Sequence, residues 1–269
     1  MALDLTRVDS ASRAAAMLAG DPTARFLAGG TLLVHEAGSG AGEIHRFVLS
    51  DGLGFDRIER NAGKVTIGAA VTMAKVAADP ALAFLKPVAD SIGGPAIRNV
   101  ATIGGNLFAP APYGDFAVAL LALGATVAVE TAAGEKSVDL EAFLKARSGH
   151  RAGLVRSVTF DQPADGAFRF RKVIRKHPRG AAVLAIAAVL PATGGKLTGV
   201  RVAYGAMAPT AIRANAVEKA LEGKALDAAA IDAAVKVATE GTKPATDAQA
   251  TDWYRRQVLP VHLRRLLAG

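Results

Sequence analysis

Residues 92–115 read Ile-Gly-Gly-Pro-Ala-Ile-Arg-Asn-Val-Ala-Thr-Ile-Gly-Gly-Asn-Leu-Phe-Ala-Pro-Ala-Pro-Tyr-Gly-Asp, which sets Gly93 and Gly94, then Gly104 and Gly105, around Ile97, Arg98 and Asn99. Paired glycines let a backbone come close to a ligand and adopt positive φ without steric cost. Thr102 and Asn106, flanking the second pair, have short side chains able to hydrogen-bond what the bare amides cradle. A simpler copy lies upstream at Ala28-Gly29-Gly30-Thr31-Leu32. Two separated glycine-pair loops point to one extended ligand held from two sides.

The chain around these loops has 269 residues, enough for one large domain or two ordinary ones. It is 51% hydrophobic but only 5% aromatic, so its core must be built from Ala, Val, Leu and Ile. That balance predicts an ordered fold rather than disorder. The most apolar run, residues 181–190, is too short for a membrane span and suits a buried strand or core helix. Residues 1–7 show no export-signal pattern, and cytoplasmic placement is the expectation. The chain contains no Cys, which excludes disulfides, cysteine nucleophiles and iron–sulfur ligation by this chain. Redox chemistry would therefore need an organic cofactor.

The net charge of +8 is uneven. No acid occurs between Asp165 and Glu218, while Arg169, Arg171, Lys172, Arg175, Lys176 and Arg179 crowd one segment. A solvated basic face is the commonest meaning of such a run. An anionic cofactor or a partner subunit accounts for it equally well. Nucleic acid is not the expected partner, because no aromatic–basic interleaving accompanies the charge.

Periodicity predicts an α/β layer first: a helix over 11–18 capped by Ser10, a strand over 24–28 leading into the first glycine pair, and strands over 47–49 and 64–68. Thr72 is set to cap a helix, and 81–92 reads as a helix interrupted at Pro87. A helix over 116–123, a strand over 125–130, a strand edge at 137–140 and a short helix over 141–146 follow. Pro, Asp and Gly cluster at 162–166, marking a boundary. Beyond it, strand-like runs at 168–174, 181–190 and 196–205 precede helical patterns at 216–221, 227–238 and 253–267, the last expected to kink at Pro260. A sheet followed by helices argues α+β for this half. The expected domains are 1–163 and 164–269.

The five histidines, His35, His45, His150, His177 and His262, are scattered without metal-ligand spacing, so surface or packing roles are expected and no metal site. Neither a nucleophile elbow nor a P-loop is present, and no carboxylate pair suggests acid–base catalysis, so no catalytic side chain is expected. The glycine loops remain. Consecutive backbone N–H groups in a tight turn hold phosphate well. A dinucleotide also needs a partner for its hydroxyls, and Asp115, ten residues after Gly105, can serve.

Four stretches together resemble the FAD-binding medium subunit of molybdenum hydroxylases, the group of carbon monoxide dehydrogenase, xanthine dehydrogenase and aldehyde oxidoreductases. They are residues 28–33 (Ala-Gly-Gly-Thr-Leu-Leu), Ile97-Arg98-Asn99 with residues 102–106 and Asp115, residues 202–210 (Val-Ala-Tyr-Gly-Ala-Met-Ala-Pro-Thr), and residues 252–256 (Asp-Trp-Tyr-Arg-Arg). They occur in the family's order and span nearly the whole chain. The resemblance implies a mixed α/β, α+β architecture: a two-lobed FAD-binding domain of the PCMH type, then a small C-terminal domain of antiparallel sheet plus helices. It implies that Leu27, Ala28, Gly29, Gly30, Thr31, Leu32, Leu33 and Val34 wrap the pyrophosphate of FAD. Ala101, Thr102, Gly104, Gly105 and Asn106 would form a second loop for the pyrophosphate and ribityl chain, with Asp115 on cofactor hydroxyls. Ile92 and Ile97 would lie near the flavin, and Lys172 beside the isoalloxazine ring, where a cation stabilises the anionic reduced form.

The chain departs from the family at Leu32, where a polar residue is usual, at His35-Glu36 in place of a Met-Lys or similar pair, and at Gly180 in place of an Asp. The implied partners are a large molybdopterin subunit and a small iron–sulfur subunit in a heterotrimer or a dimer of heterotrimers. The implied function is to pass electrons from those clusters through FAD to NAD, a quinone or oxygen. The alternatives are a self-sufficient FAD-dependent oxidoreductase of related fold, and a flavin-free anion-binding scaffold.

Overall fold

The computed structural model describes residues 3–40, 43–147, 153–177 and 180–269. A small parallel layer comes first, made of β1 (Asp4–Thr6), α1 (Ala11–Gly20), β2 (Ala24–Leu27), α2 (Leu33–Gly38) and β3 (Arg46–Leu49), with strand order β1-β3-β2. Ser10 caps α1 by accepting from the Arg13 amide, and the helix buries Ala14, Ala15 and Leu18. That stripe of small side chains brings α1 close to its sheet.

The next layer is a five-stranded antiparallel sheet of β4 (Ile58–Asn61), β5 (Lys64–Gly68), β6 (Thr126–Thr131), β7 (Gly134–Asp139) and β8 (Leu154–Asp161), in the order β4-β5-β8-β6-β7. Between β5 and β6 run α3 (Met73–Ala78), a 3-10 turn (Pro80–Leu85), α4 (Lys86–Asp90), α5 (Pro95–Arg98), α6 (Ile103–Leu107) and α7 (Asp115–Ala122), and α8 (Leu140–Lys145) follows β7. Thr72 caps α3 as expected. Pro87 does not interrupt a helix: it stands in the first turn of α4, where its missing N–H is no loss.

The middle strand, β8, is absent from the sequence reading, and so are β1 and β4. Its register against β6 shifts between Ala128 and Val129. That irregularity breaks the period-2 burial by which a strand is recognised.

The third sheet is antiparallel, ordered β14-β13-β10-β9, from β9 (Phe168–Ile174), β10 (Ala182–Val189), β13 (Arg201–Gly205) and β14 (Ile212–Arg213). The run expected over 196–205 is two strands. β12 (Lys196–Leu197) pairs in a hairpin with β11 (Ala192–Thr193), and Gly199 turns at φ +70° before β13. Helices α9 (Asn215–Leu221), α10 (Ala228–Lys236) and α11 (Asp252–Ala268) cover one face, and α11 runs through Pro260 as one element.

β10 is buried on both faces. Ala185, Ala187 and Val189 join the core that contains α7, while Leu184, Ile186 and Ala188 join the core formed with the C-terminal helices. All eight residues of α7 are buried. Gly205 makes room for that helix, since a Cβ there would lie 2.6 Å from Val118 Cγ2.

Within β9 the basic segment is not a solvated face; Arg175 and Lys176 beyond it are exposed, and Arg179 lies outside the described residues. Every residue of β9 is half-buried. Arg169 donates to the Leu266 and Leu267 carbonyls at 2.9 and 2.6 Å, at the C-terminal end of α11 where cations are favoured. Arg171 Nε donates to His262 Nδ1 at 3.1 Å, and Arg175 donates to the Ala248 and Gln249 carbonyls. Burial, then the Arg171 and Arg265 cations, hold His262 below the usual imidazole range, so it packs as a neutral acceptor. His150 lies outside the described residues.

Arg255 fastens α11 to the sheet from a position only 1% exposed. Its Nε donates to the Val183 carbonyl at 2.8 Å, Nη1 to the Ala245 carbonyl, and Nη2 to both oxygens of Asp247 at 2.9 Å. Removing it strands these acceptors together with the partly exposed carboxylate. Arg255→Ala is expected to lower unfolding free energy by about 3 kcal/mol, measured by urea denaturation. A loss under about 1 kcal/mol would mean that water replaces the guanidinium without penalty.

Candidate functional site

The two glycine loops meet. Gly29 follows β2, and a Cβ placed on it would lie 1.8 Å from the Val100 carbonyl oxygen, inside the backbone of the second loop. Gly104 presses on the β5–α3 connection, with a virtual Cβ 2.8 Å from Ala69 Cβ. Gly30 sits at φ +69°, a conformation that favours glycine. Gly29 and Gly104 are therefore required first for loop-on-loop and loop-on-sheet packing. The cleft that this contact encloses has a volume of about 790 Å³, within the size range of cofactor sites.

Every cofactor residue named from the sequence lines this cleft except Val34, which is 51% exposed. Residues 27–33 form one wall. Ala101, Thr102, Gly104, Gly105 and Asn106 line it as well, with Ile92 and Ile97, and Asp115 and Lys172 are its buried inner pair. The backbone N–H groups of Gly29, Gly30, Thr31 and Leu32 donate to no acceptor among the described residues. Four consecutive free amides at a strand-to-helix turn are a donor set for anionic oxygen.

The second loop is internally bonded. The Thr102 hydroxyl caps α6 by accepting from the Gly105 amide at 3.2 Å. The Asn106 side-chain oxygen accepts from the Ala117 amide at 3.0 Å, capping the next helix, α7. Both residues are accounted for by these caps, and Asn106 keeps its amide NH₂ as a donor. Arg98 closes the 93–98 turn by donating to the Gly93 carbonyl at 2.7 Å.

Asp115 opens α7, where the helix dipole favours a carboxylate. Lys172 of β9 reaches it at 2.7 Å and also donates to the Ser91 carbonyl at 2.9 Å, with side chains 9% and 7% exposed for Lys172 and Asp115. Burial pushes the Asp115 carboxyl up, against the pull of the Lys172 ammonium. The lysine on the wall is thus a compensated charge and not a bare cation.

Several lining residues carry no glycine-loop signature. They include Arg25 on β2 and Glu36 on α2, the exposed aromatics Phe108 and Tyr113, and Arg147. The only sequence signal for Arg25 was its position four residues before Gly29. No group of three or more metal-ligating side chains occurs among the described residues. A cleft with free amides, neutralised inner charges and apolar walls fits a dinucleotide with a planar ring system.

The two glycines with backbone neighbours should differ from Gly105, whose virtual Cβ meets only the Thr102 hydroxyl at 3.1 Å. Gly29→Ala is expected to push the loops apart and abolish flavin retention, while Gly105→Ala weakens it far less. Flavin content of the purified variants is the measurement, and equal retention would show that the loop contact does not shape the cleft.

Comparison with known proteins agrees with this geometry. The pattern of the family described as FAD binding domain in molybdopterin dehydrogenase matches residues 1–160, and that of the CO dehydrogenase flavoprotein C-terminal domain matches residues 168–269. The chain is 28% identical over 176 residues to the glyceraldehyde dehydrogenase medium chain of Sulfolobus acidocaldarius, covering 64% of this chain and 62% of that one. It is 26% identical over 266 residues to the xanthine dehydrogenase FAD-binding subunit of Escherichia coli, covering 94% and 90%. Among solved structures it superposes on a chain of the reconstituted CO dehydrogenase from Oligotropha carboxidovorans with a TM-score of 0.90 and 27% identity, over 100% of this chain and 97% of that one. Quinoline 2-oxidoreductase from Pseudomonas putida gives 0.88 and 27%, over 100% and 96%. No helix among the described residues is long and apolar enough to cross a membrane. With matches over both halves, the chain belongs to the family of FAD-binding domains of molybdopterin dehydrogenases and ends in their flavoprotein C-terminal domain.

Proposed function

We propose that this chain is the FAD-carrying electron-transfer subunit of a molybdenum hydroxylase complex. It takes electrons from iron–sulfur clusters on a small partner subunit, which receives them from a large molybdopterin subunit, and passes them to an external acceptor. Its division of labour falls at residues 163 and 164, and its site of action is the cytoplasm. The observation that carries this reading is the run of free amides on the cleft wall, in a chain whose two halves both match flavoprotein families. A self-sufficient oxidoreductase is not favoured: the cleft's inner titratable groups, Asp115 and Lys172, are engaged with each other.

FAD, when bound, supplies the electron-accepting chemistry. The protein binds and orients it. The free amides of residues 29–32 would meet the pyrophosphate, and residues 101–106 would hold the opposite side of the chain. Asp115 accepts from cofactor hydroxyls while it compensates Lys172, and Ile92 and Ile97 exclude water beside the ring. Because Lys172 is already paired, the pair sets the local field as a unit.

The purified chain is expected to carry one FAD per protein molecule by absorbance after acid release. A colourless protein that cannot be reconstituted with FAD would leave the scaffold reading standing. Asp115→Asn keeps the shape and uncovers the Lys172 charge. The midpoint potential of bound FAD should then rise by about 30 mV or more, equivalent to a tenfold stabilisation of the two-electron reduced state. An unchanged potential would place Lys172 away from the ring.

A further inference from the structure

Arg25 is the unassigned charge of the cleft. It lies on β2, four residues before Gly29, and lines the same wall as the free amides. One nitrogen anchors it: Nη1 donates to the Pro22 carbonyl at 2.7 Å and to the Ala24 carbonyl at 2.8 Å. Nε and Nη2 have no partner among the described residues, and Arg25 forms no ion pair there, with Glu36, which also lines the cleft, or with any other carboxylate. The other lining cations differ. Lys172 is neutralised by Asp115 at 2.7 Å, and Arg147 donates to the Ala109 carbonyl at 2.6 Å.

A guanidinium pinned through Nη1 and open along Nε and Nη2 presents the two parallel N–H groups that match two oxygens of a phosphate. Its half-buried position lowers the local dielectric below that of water and strengthens such a pair. Carbonyl anchoring restricts the side chain beforehand, so less rotamer entropy is lost when the pair forms.

We propose that Arg25 is the phosphate-recognising cation of the cleft, and that its free Nε–Nη2 edge binds phosphate oxygens of the dinucleotide. This rests on the FAD reading above and extends it. Arg25 becomes the residue by which the chain prefers phosphate-bearing flavins to riboflavin.

The test uses the full chain freed of flavin and titrated with FAD and riboflavin, following quenching of flavin fluorescence, for wild type, Arg25→Gln and Arg25→Lys. Arg25→Gln should weaken FAD binding about tenfold or more, leave riboflavin binding within about twofold, and make FAD affinity less salt-dependent. Arg25→Lys, which keeps the charge but not the fork, should fall between. Wild-type chain that fails to bind FAD overturns the cofactor reading and this inference with it. Wild-type binding with Arg25→Gln unchanged overturns the inference alone. Equal losses for FAD and riboflavin also overturn it, since they report a damaged cleft. If Arg25→Gln does not fold, the Arg25→Lys comparison decides: a weakening confined to FAD supports the assignment, and its absence refutes it.

Discussion

The structure depends on one buried layer: β10 packed on both faces, with α7 against one of them. Side-chain size makes this possible. Ala185 and Ala187 on the α7 face, and Gly205 beside them, let the helix backbone approach the sheet, while Leu184 and Ile186 fill the opposite side. Each fully buried Leu or Ile contributes about 1.5–3 kcal/mol, so the two-sided strand is where the aromatic-poor core gains most. A larger residue at 185, 187 or 205 would separate the layers, and overpacking at such a position costs about 1–3 kcal/mol.

Placing α7 in that layer determines the inner end of the cleft. Asp115, as its first residue, becomes buried because the helix is buried. A lone buried carboxylate is costly, and a counter-charge must come from a neighbouring element. β9 supplies it through its period-2 alternation. Arg169 and Arg171 turn toward α11, while Phe168, Phe170 and Lys172 turn toward the first half of the chain, where Phe168 meets Phe84 at 5.5 Å edge-to-face. Lys172 thus reaches Asp115 as a consequence of strand register. The pair joins the two halves of the chain at the wall of the cleft.

Much of this was legible in the sequence. The glycine pairs, the caps Ser10 and Thr72, and the apolar run that became β10 follow from local rules of spacing and capping. What escaped depends on tertiary context. β8 is central, yet its bulge against β6 erases its alternation. A solvated face is the commonest meaning of a charge run, but Arg169, Arg171 and Arg175 bond α11 and the loop before it, contacts about 70 to 100 residues away in sequence. The glycines were read as making room for a ligand. Gly29 and Gly104 make room for other backbone, and the ligand space results from that contact. Arg25 carries no motif, and only its anchoring geometry marks it out.

The cleft's electrostatics follow from how its charges are placed. At the inner end, where the resemblance sets the ring, positive and negative side chains cancel within 2.7 Å. At the loop end, amides and a guanidinium are open, and their charge and partial charges are positive. A ligand whose negative charge sits at one end and whose redox ring sits at the other is oriented by this gradient alone. Reversing it would bring the phosphates against a compensated pair in an apolar enclosure, where their desolvation is not repaid by new bonds. In the proposed placement, uncompensated positive charge would set the cofactor's orientation, and the paired inner end would leave the ring beside a neutral couple.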